Sequence, residues 1–197
     1  AKDDNGTPAT ATYSPVVKAA VPTAQIPKTT DVQGAKQKVT PVFTTGKATV
    51  NGKEVEVPFE PTSKAKLIDP SKTGAEAEVT TLVVENQGTY TIDDNGDVTF
   101  TPLPTFKGEA TAVSIVRKDK NGTPATATFK PSVVGVTPAG TDASSEGIQG
   151  SPQEGKPTFT SGKGNIGTKE NPVEKTVPLT ISATNPAKFV VDGQPVE

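Results

Sequence analysis

The chain contains no cysteine, histidine, methionine or tryptophan among its 197 residues. Without cysteine there is neither a disulfide bond nor a thiolate nucleophile. Without histidine the commonest general base is missing, and the usual zinc and copper ligands are missing with it. Only oxygen ligands remain, so any bound metal is expected to be a hard cation such as calcium.

Aromatic residues and excess charge are also scarce. Aromatics make up 5% of the chain, and the formal net charge is only −2, with acids and bases interspersed. This pattern predicts no nucleic-acid partner and no anionic membrane surface, and no stretch approaches the length of a membrane span. What is abundant is glycine (18), proline (19) and threonine. That composition is typical of many short strands joined by turns around thin cores.

The chain repeats itself. Residues 5–13 return as residues 121–129, an offset of 121 − 5 = 116 residues. A second motif keeps that offset: Val32-Gln33-Gly34 followed by residues 41–46 matches residues 148–150 followed by 157–162. A period of this size is a whole domain rather than one supersecondary unit, so we expect a tandem array of domains.

The repeat divides the chain into four expected parts. We expect 1–22 to be the C-terminal part of a preceding repeat, 23–138 a complete repeat, 139–147 a linker, and 148–197 the N-terminal half of a following repeat. Because the chain opens inside a repeat, we expect it to be a piece of a longer protein. Both partial copies lack a counterpart of residues 79–116, where the most hydrophobic strands are predicted.

Short hydrophobic alternations predict eight or nine strands in the complete repeat. Asn-Gly pairs at 51–52, 95–96 and 121–122 are the strongest hairpin signals. Residues 78–84 are predicted to form one strand, and the alternation of Val55, Val57 and Phe59 predicts a buried face. No segment resembles a crossover helix, so we expect antiparallel pairing alone. The predicted core of the complete repeat comprises Tyr90, Ile92, Val98, Phe100, Val113 and Ile115.

These observations together predict the fold class. It is all-β, with tandem antiparallel β-sandwich repeats, one complete and two partial.

One loop carries metal-binding potential. Asp93, Asn95 and Asp97 have the spacing of a calcium loop, and Gly96 permits the bend. The distal glutamate of an EF-hand is absent, and the loops at Asn51 and Asn121 turn without an acidic cluster. We therefore favour a plain hairpin turn, with no metal, no cofactor and no catalytic residue. Intramolecular Lys–Asn isopeptide bonds are also disfavoured, because the asparagines cluster in predicted turns.

Several spaced runs resemble a known family. Gly88–Asp93, Gly96–Pro102 and Phe106–Ala110 resemble the core signature of the CshA-type fibril repeat, and the runs 65–70 and 121–129 match its middle and its close. The family occurs in cell-wall-anchored surface adhesins of Gram-positive bacteria, especially streptococci. The C-terminal copy departs from the pattern at 163–174, which is longer than its counterpart.

The resemblance implies a structural role rather than an enzymatic one. We expect a stalk segment of an extracellular fibril that projects an adhesive region from the cell wall. Its expected partners are neighbouring repeats, other copies of the fibril, and host matrix through regions outside this chain. Two alternatives stay open: a module that itself binds a host protein or glycan, and a filament subunit that exchanges strands between chains.

Overall fold

The computed structural model describes residues 1–196, which form 21 short strands and one 3-10 turn, Gly74–Ala77. The complete repeat contains β1 (Thr23–Gln25), β2 (Thr30–Val32), β3 (Gln37–Val39), β4 (Val42–Thr44), β5 (Gly46–Val50), β6 (Lys53–Val57), β7 (Lys66–Ile68), β8 (Glu78–Val79), β9 (Thr81–Val84), β10 (Gly88–Ile92), β11 (Val98–Pro102), β12 (Gly108–Glu109), β13 (Val113–Lys118), β14 (Pro124–Phe129) and β15 (Ser132–Val134). The following copy contains β16 (Ala139–Thr141), β17 (Thr158–Thr160), β18 (Gly162–Asn165), β19 (Glu174–Val177), β20 (Phe189–Val191) and β21 (Gln194–Val196).

Two four-stranded antiparallel sheets form the body of the complete repeat. Their orders are β3-β11-β10-β9 and β14-β13-β7-β8. Tyr90 lies directly opposite Phe100 within the first sheet, and its ring meets the edge of Phe129 from the second sheet at a centroid distance of 6.1 Å. Alternate residues of both sheets point into the space between them, so the repeat is an antiparallel β-sandwich. The predicted all-β fold class is confirmed.

The predicted core is confirmed, and it is larger than the sequence indicated. All six predicted residues belong to one buried cluster, in which Tyr90, Val98, Phe100 and Ile115 are fully inaccessible to solvent. Sequence reasoning missed other members of the same cluster, among them Leu67, Phe129 and Val133. The Tyr90 hydroxyl donates a hydrogen bond of 2.8 Å to the Thr111 carbonyl, and burial raises the pKa of this phenol.

A third sheet joins the beginning of the repeat to its end, and it corrects one prediction. Its order is β12-β15-β2, and β2 pairs with β15 in parallel. The expectation of antiparallel pairing alone is therefore wrong at this pair. A parallel pair requires a long connection between its strands, and here the whole sandwich serves as that connection in place of a helix.

The predicted strand at 78–84 is in fact two strands in different sheets. β8 pairs with β7 in one sheet, whereas β9 pairs with β10 in the other. The chain passes between the sheets at Thr80, whose carbonyl accepts a hydrogen bond from the Ile92 amide. Similar breaks divide other predicted strands, so the complete repeat has more strands, each shorter, than the eight or nine expected.

The β5–β6 hairpin forms a two-stranded sheet of its own. The Asn51-Gly52 turn is present as predicted, with positive φ at both residues. The predicted burial of this strand's alternating face is wrong at Val55, which is 48% exposed, because no other sheet of the described residues pairs with the hairpin. Phe59 is half-buried, against the Phe43 ring and beneath the Arg117 guanidinium.

The sequence period is visible in the strand pairings. Thr23 pairs with Thr44 at one end of β1–β4, and Ala139 pairs with Thr160 at the equivalent position of β16–β17. The two partial copies lack the sandwich. Tyr13 is 88% exposed, whereas Phe129, its equivalent in the complete repeat, is fully buried.

Replacing Phe100 with alanine is expected to lower the free energy of unfolding of the complete repeat by about 3–5 kcal/mol, because the ring contacts both Tyr90 and Phe106 in a thin core. Denaturant unfolding measures this change. The matched control is Val83→Ala, at a strand residue that is 71% exposed, with an expected change of about 0.5 kcal/mol or less. Equal midpoints for Phe100→Ala and the parent chain would refute the core assignment.

Candidate functional site: acidic turns and the junction between repeats

The candidate calcium loop folds as a hairpin turn between β10 and β11. One carboxylate oxygen of Asp93 accepts hydrogen bonds from the backbone amides of Asn95 and Asp97, at 2.9 and 3.0 Å. Gly96 has a φ of +86°, which favours glycine because it carries no Cβ. The Asp93 side chain thus stabilises the turn by accepting from the backbone.

The same turn occurs at two other places in the chain. Oδ1 of Asp3 accepts from the amides of Asn5 and Thr7, and Oδ1 of Asp119 accepts from those of Asn121 and Thr123. Those two loops end in threonine where the β10–β11 loop has Asp97. The turn therefore forms without the set of three acidic or amide side chains that a calcium loop would need. The signal that sequence reasoning missed is an aspartate two residues before each of these Asn-Gly pairs.

Asp97 is engaged by the neighbouring strand. Its carboxylate pairs with the Lys38 ammonium at 2.7 Å and accepts a hydrogen bond from the Thr40 hydroxyl at 2.5 Å. Hydrogen bonds from Lys38 and Thr40 lower the pKa of the Asp97 carboxyl. Within residues 1–196, no three or more acidic, histidine or cysteine side chains are grouped so as to hold a metal.

One surface groove of the sandwich brings two carboxylates and a serine hydroxyl together. It has a volume of ≈ 580 Å³ and lies between the edges of the two four-stranded sheets, where Leu82, Val83 and Val84 line one side. Of its two carboxylates, Asp69 accepts hydrogen bonds from the amide and hydroxyl of Ser71, which lower its pKa. The groove therefore presents an edge strand and a turn, in which the Ser71 hydroxyl is held by the Asp69 carboxylate at 2.7 Å.

Adding calcium is expected to leave the melting temperature unchanged from that in excess chelator, because Asp93 and Asp97 already hold donors from the protein itself. Thermal unfolding in the two conditions measures this. Asp93→Ala is expected to lower the melting temperature equally in both, since it removes an acceptor for two backbone amides. A calcium-dependent rise that Asp93→Ala abolishes would show a metal site instead.

Backbones pass unusually close to each other where one repeat meets the next. A Cβ atom added to Gly46 would lie 2.4 Å from the Ala20 carbonyl oxygen, and one added to Gly162 would lie 2.9 Å from the Thr137 carbonyl carbon. Gly46 and Gly162 are equivalent residues of successive copies. Only glycine permits these approaches, so both junctions position a hairpin tightly against the segment that leads into it.

The β18–β19 hairpin of the following copy packs on the parallel strand pair of the complete repeat. A Cβ atom on the buried Gly164 would lie 3.0 to 3.1 Å from methyl groups of Val32, Val134 and Val136. We call these three valines the junction seat. Gln33 supports the seat, since its side-chain oxygen accepts a hydrogen bond of 3.2 Å from the Val136 amide.

An ion pair crosses the same junction. The Lys175 ammonium lies 2.7 Å from both carboxylate oxygens of Asp31. Lys175 pairs in register with Gly164, so the apolar contact and the ion pair lie on one face of the hairpin. The contact combines burial of a small apolar surface with a partly exposed charge pair of modest strength.

The repeated motifs recognised in the sequence therefore lie on the two sides of the junction. Val32 of the second motif belongs to the seat and Gln33 supports it, whereas Gly162, which closes the next copy of that motif, lies at the base of the hairpin that packs on the seat. Sequence reasoning used both copies as evidence of a period, but it did not predict that they meet across a boundary. The extended segment 163–174 in the C-terminal copy contains most of β18, the first residue of β19 and the longer loop 166–173 between them.

The architecture defines a class of protein: an all-β chain in which a small β-sandwich is followed by a second, partial copy of the same repeat. The family model described as the surface adhesin CshA repetitive domain matches residues 19–133 and again residues 135–197. The chain belongs to this family of surface adhesin repeats, which is not a class of enzymes. No curated protein matches the chain.

Membership of the family implies an extracellular or cell-surface location. No helix in the described part of the chain is long and apolar enough to cross a membrane.

Replacing Gly164 with valine is expected to separate the hairpin from the seat, because the added methyl groups overlap those of Val32, Val134 and Val136. The chain lacks cysteine, so spin labels on Lys36→Cys and Lys169→Cys report the distance between the two copies cleanly. We expect a narrow distance distribution in the parent and a broad one in Gly164→Val.

The matched control is Gly155→Val, whose Cβ would meet Ala143 at an ordinary 3.7 Å and which is expected to keep the narrow distribution. If Gly164→Val also leaves the distribution narrow, the close approach does not hold the two copies together.

Proposed function

We propose that this chain is a stalk segment of a bacterial surface fibril, in which repeats 1–22, 23–138 and 148–197 follow one another and project an adhesive region from the cell wall. The observation that carries the proposal is the junction, where the following copy packs on the complete repeat through Gly164 and the seat. Repeats that contact each other directly hold a direction along the array, which is what a spacer requires.

The surface of the complete repeat also suits a spacer. Its aromatic side chains are buried or half-buried, including Tyr90, Phe100 and Phe129 in the core. Protein-binding hot spots are typically built from aromatic residues and arginine, and the one arginine, Arg117, lies over Phe59 and donates to the Ser63 carbonyl. Scattered lysine–carboxylate pairs favour solubility without a large field of one sign. Host contact is therefore assigned to regions outside this chain.

A second function, strand exchange between chains, has one specific observation in its favour. Tyr13 and Val17 are 88% and 92% exposed, although Phe129 and Val133, their equivalents, are buried in the complete repeat. Unpaired strand segments of this kind can be completed by another copy of the chain. Molar mass at increasing concentration separates the two functions, because a stalk segment stays monomeric whereas a strand-exchanging subunit assembles.

We expect the complete repeat to bind immobilised fibronectin and host glycans weakly or not at all, because it exposes no aromatic side chain within its described residues. We further expect that removing repeats from the intact adhesin lowers bacterial attachment by shortening its reach. Surface plasmon resonance and a cell-attachment assay measure the two effects. Submicromolar binding by the chain itself would replace the stalk with a binding module.

A further inference from the structure

The β5–β6 hairpin presents a face that residues 1–196 cover only in part. Gly46, Ala48, Val50, Val55 and Val57 alternate on one side of the two strands and form what we call the hairpin face, with Lys53 opposite Val50 at its turn end. The Gly46 end is buried against the backbone of Ala20 and Val21, whereas Val50 is 42% exposed and Val55 is 48% exposed. Apart from Lys53 the face is apolar, and strands of this composition are normally buried against another element.

The equivalent face of the next copy is covered. β18–β19 repeats the pairing of β5–β6, with Gly46 opposite Val57 in one hairpin and Gly162 opposite Val177 in the other. Both hairpins also carry the same lysine–glutamate pair, Lys47–Glu54 and Lys163–Glu174. In the second hairpin, Gly164 takes the place of Ala48 and lies on the junction seat.

The occupant of the first hairpin's face follows from this equivalence. Residues 16–20 precede the hairpin as residues 132–136 precede the next one, and they belong to the end of another copy of the repeat. At the position of Val134 this copy has Lys18, whose alkyl chain takes the place of the valine, and at the position of Val136 it has Ala20. The hairpin that faces this copy has Ala48 where the next hairpin has Gly164, which adds one methyl group. Ala20 in place of Val136 removes two methyl groups from the opposite side, so there is room for the added one.

We propose that the hairpin face of β5–β6 is a docking surface for the parallel strand pair of another copy of this repeat placed directly before it. Docking would bury Ala48, Val50 and Val55 as the seat buries Gly164. The inference deepens the proposed stalk function and rests on it, because both require consecutive copies. Beyond the stalk function, the proposal states that copies contact each other at each boundary and that the residues of the hairpin face determine this contact.

The test completes the N-terminal partial copy. A longer chain, in which residues 23–117 are joined to residues 2–197, supplies the strands that residues 1–22 lack. Arg117 is then followed by Lys2, which is the equivalent of Lys118. This completed chain keeps the natural segment 2–22 before the hairpin. Hydrogen exchange is followed at the amides of β5 and β6. We expect exchange to be at least about tenfold slower in the completed chain than in the parent, because opening must now also break the docked contact.

A charge pair sharpens the test. Val55 takes the place of Lys175, which binds Asp31 across the other junction, and the added copy brings its own Asp31 to the matching position. In the completed chain, Val55→Lys is expected to keep the slow exchange and Val55→Asp to abolish it. In the parent chain the two variants are expected to behave alike, because Val55 is exposed there. Val83→Asp, on an exposed strand far from the junction in sequence, is the matched control.

Equal exchange of β5 and β6 in the parent and completed chains would overturn the proposal, as would equal effects of Val55→Lys and Val55→Asp. A second chain guards against a misfolded added copy. It joins residues 23–138 to residues 23–197 with Ala48→Gly and Val55→Lys, and so supplies the seat together with the counterparts of Gly164 and Lys175. Fast exchange there also contradicts docking. If the hydrogen-exchange test shows no docking but the chain still binds fibronectin and glycans weakly, the chain is a flexible spacer and only the docking proposal fails. If the chain binds one of these ligands tightly, the stalk function itself is wrong.

Discussion

The parallel pairing of β2 with β15 is the interaction on which the rest of the structure depends. It ties residues 30–32 to residues 132–134, so the repeat closes between its first strands and its last. The pairing buries Val32 and Val133, and it brings Val32 beside Val134 and Val136 to form the junction seat. Closure of one repeat and contact with the next are therefore the work of the same strand pair.

This arrangement suits a chain with few large side chains. The sandwich of the complete repeat has a thin core around Tyr90, Phe100 and Phe129, and backbone pairing holds the strands within each of its two sheets. The junction needs small residues rather than large ones, since Gly46 and Gly162 permit close approach of backbones and Gly164 leaves room for the valine methyl groups of the seat. The absence of cysteine, histidine and tryptophan is compatible with both requirements.

Local patterns in the sequence predicted the turns, most strands and the centre of the core, because alternation and Asn-Gly pairs act over a few residues. They did not predict the parallel pair, which joins residues about a hundred positions apart, nor the passage of the chain between sheets at Thr80. Burial of Val55 was predicted from its alternation, yet this side chain is 48% exposed because no sheet of the described residues packs on it. The junction was not predicted from the sequence. Val32 and Gly164 are far apart along the chain, and their positions in the repeat do not show that they are in contact.

The central claim is that consecutive repeats contact each other and so hold a direction. Small-angle X-ray scattering on arrays with increasing numbers of a composite repeat, residues 23–117 joined to residues 2–22, tests it most directly. The account predicts that the maximum dimension rises linearly with the number of repeats, by a constant increment. Growth close to the square root of the repeat number, as in a chain of freely jointed beads, would contradict it.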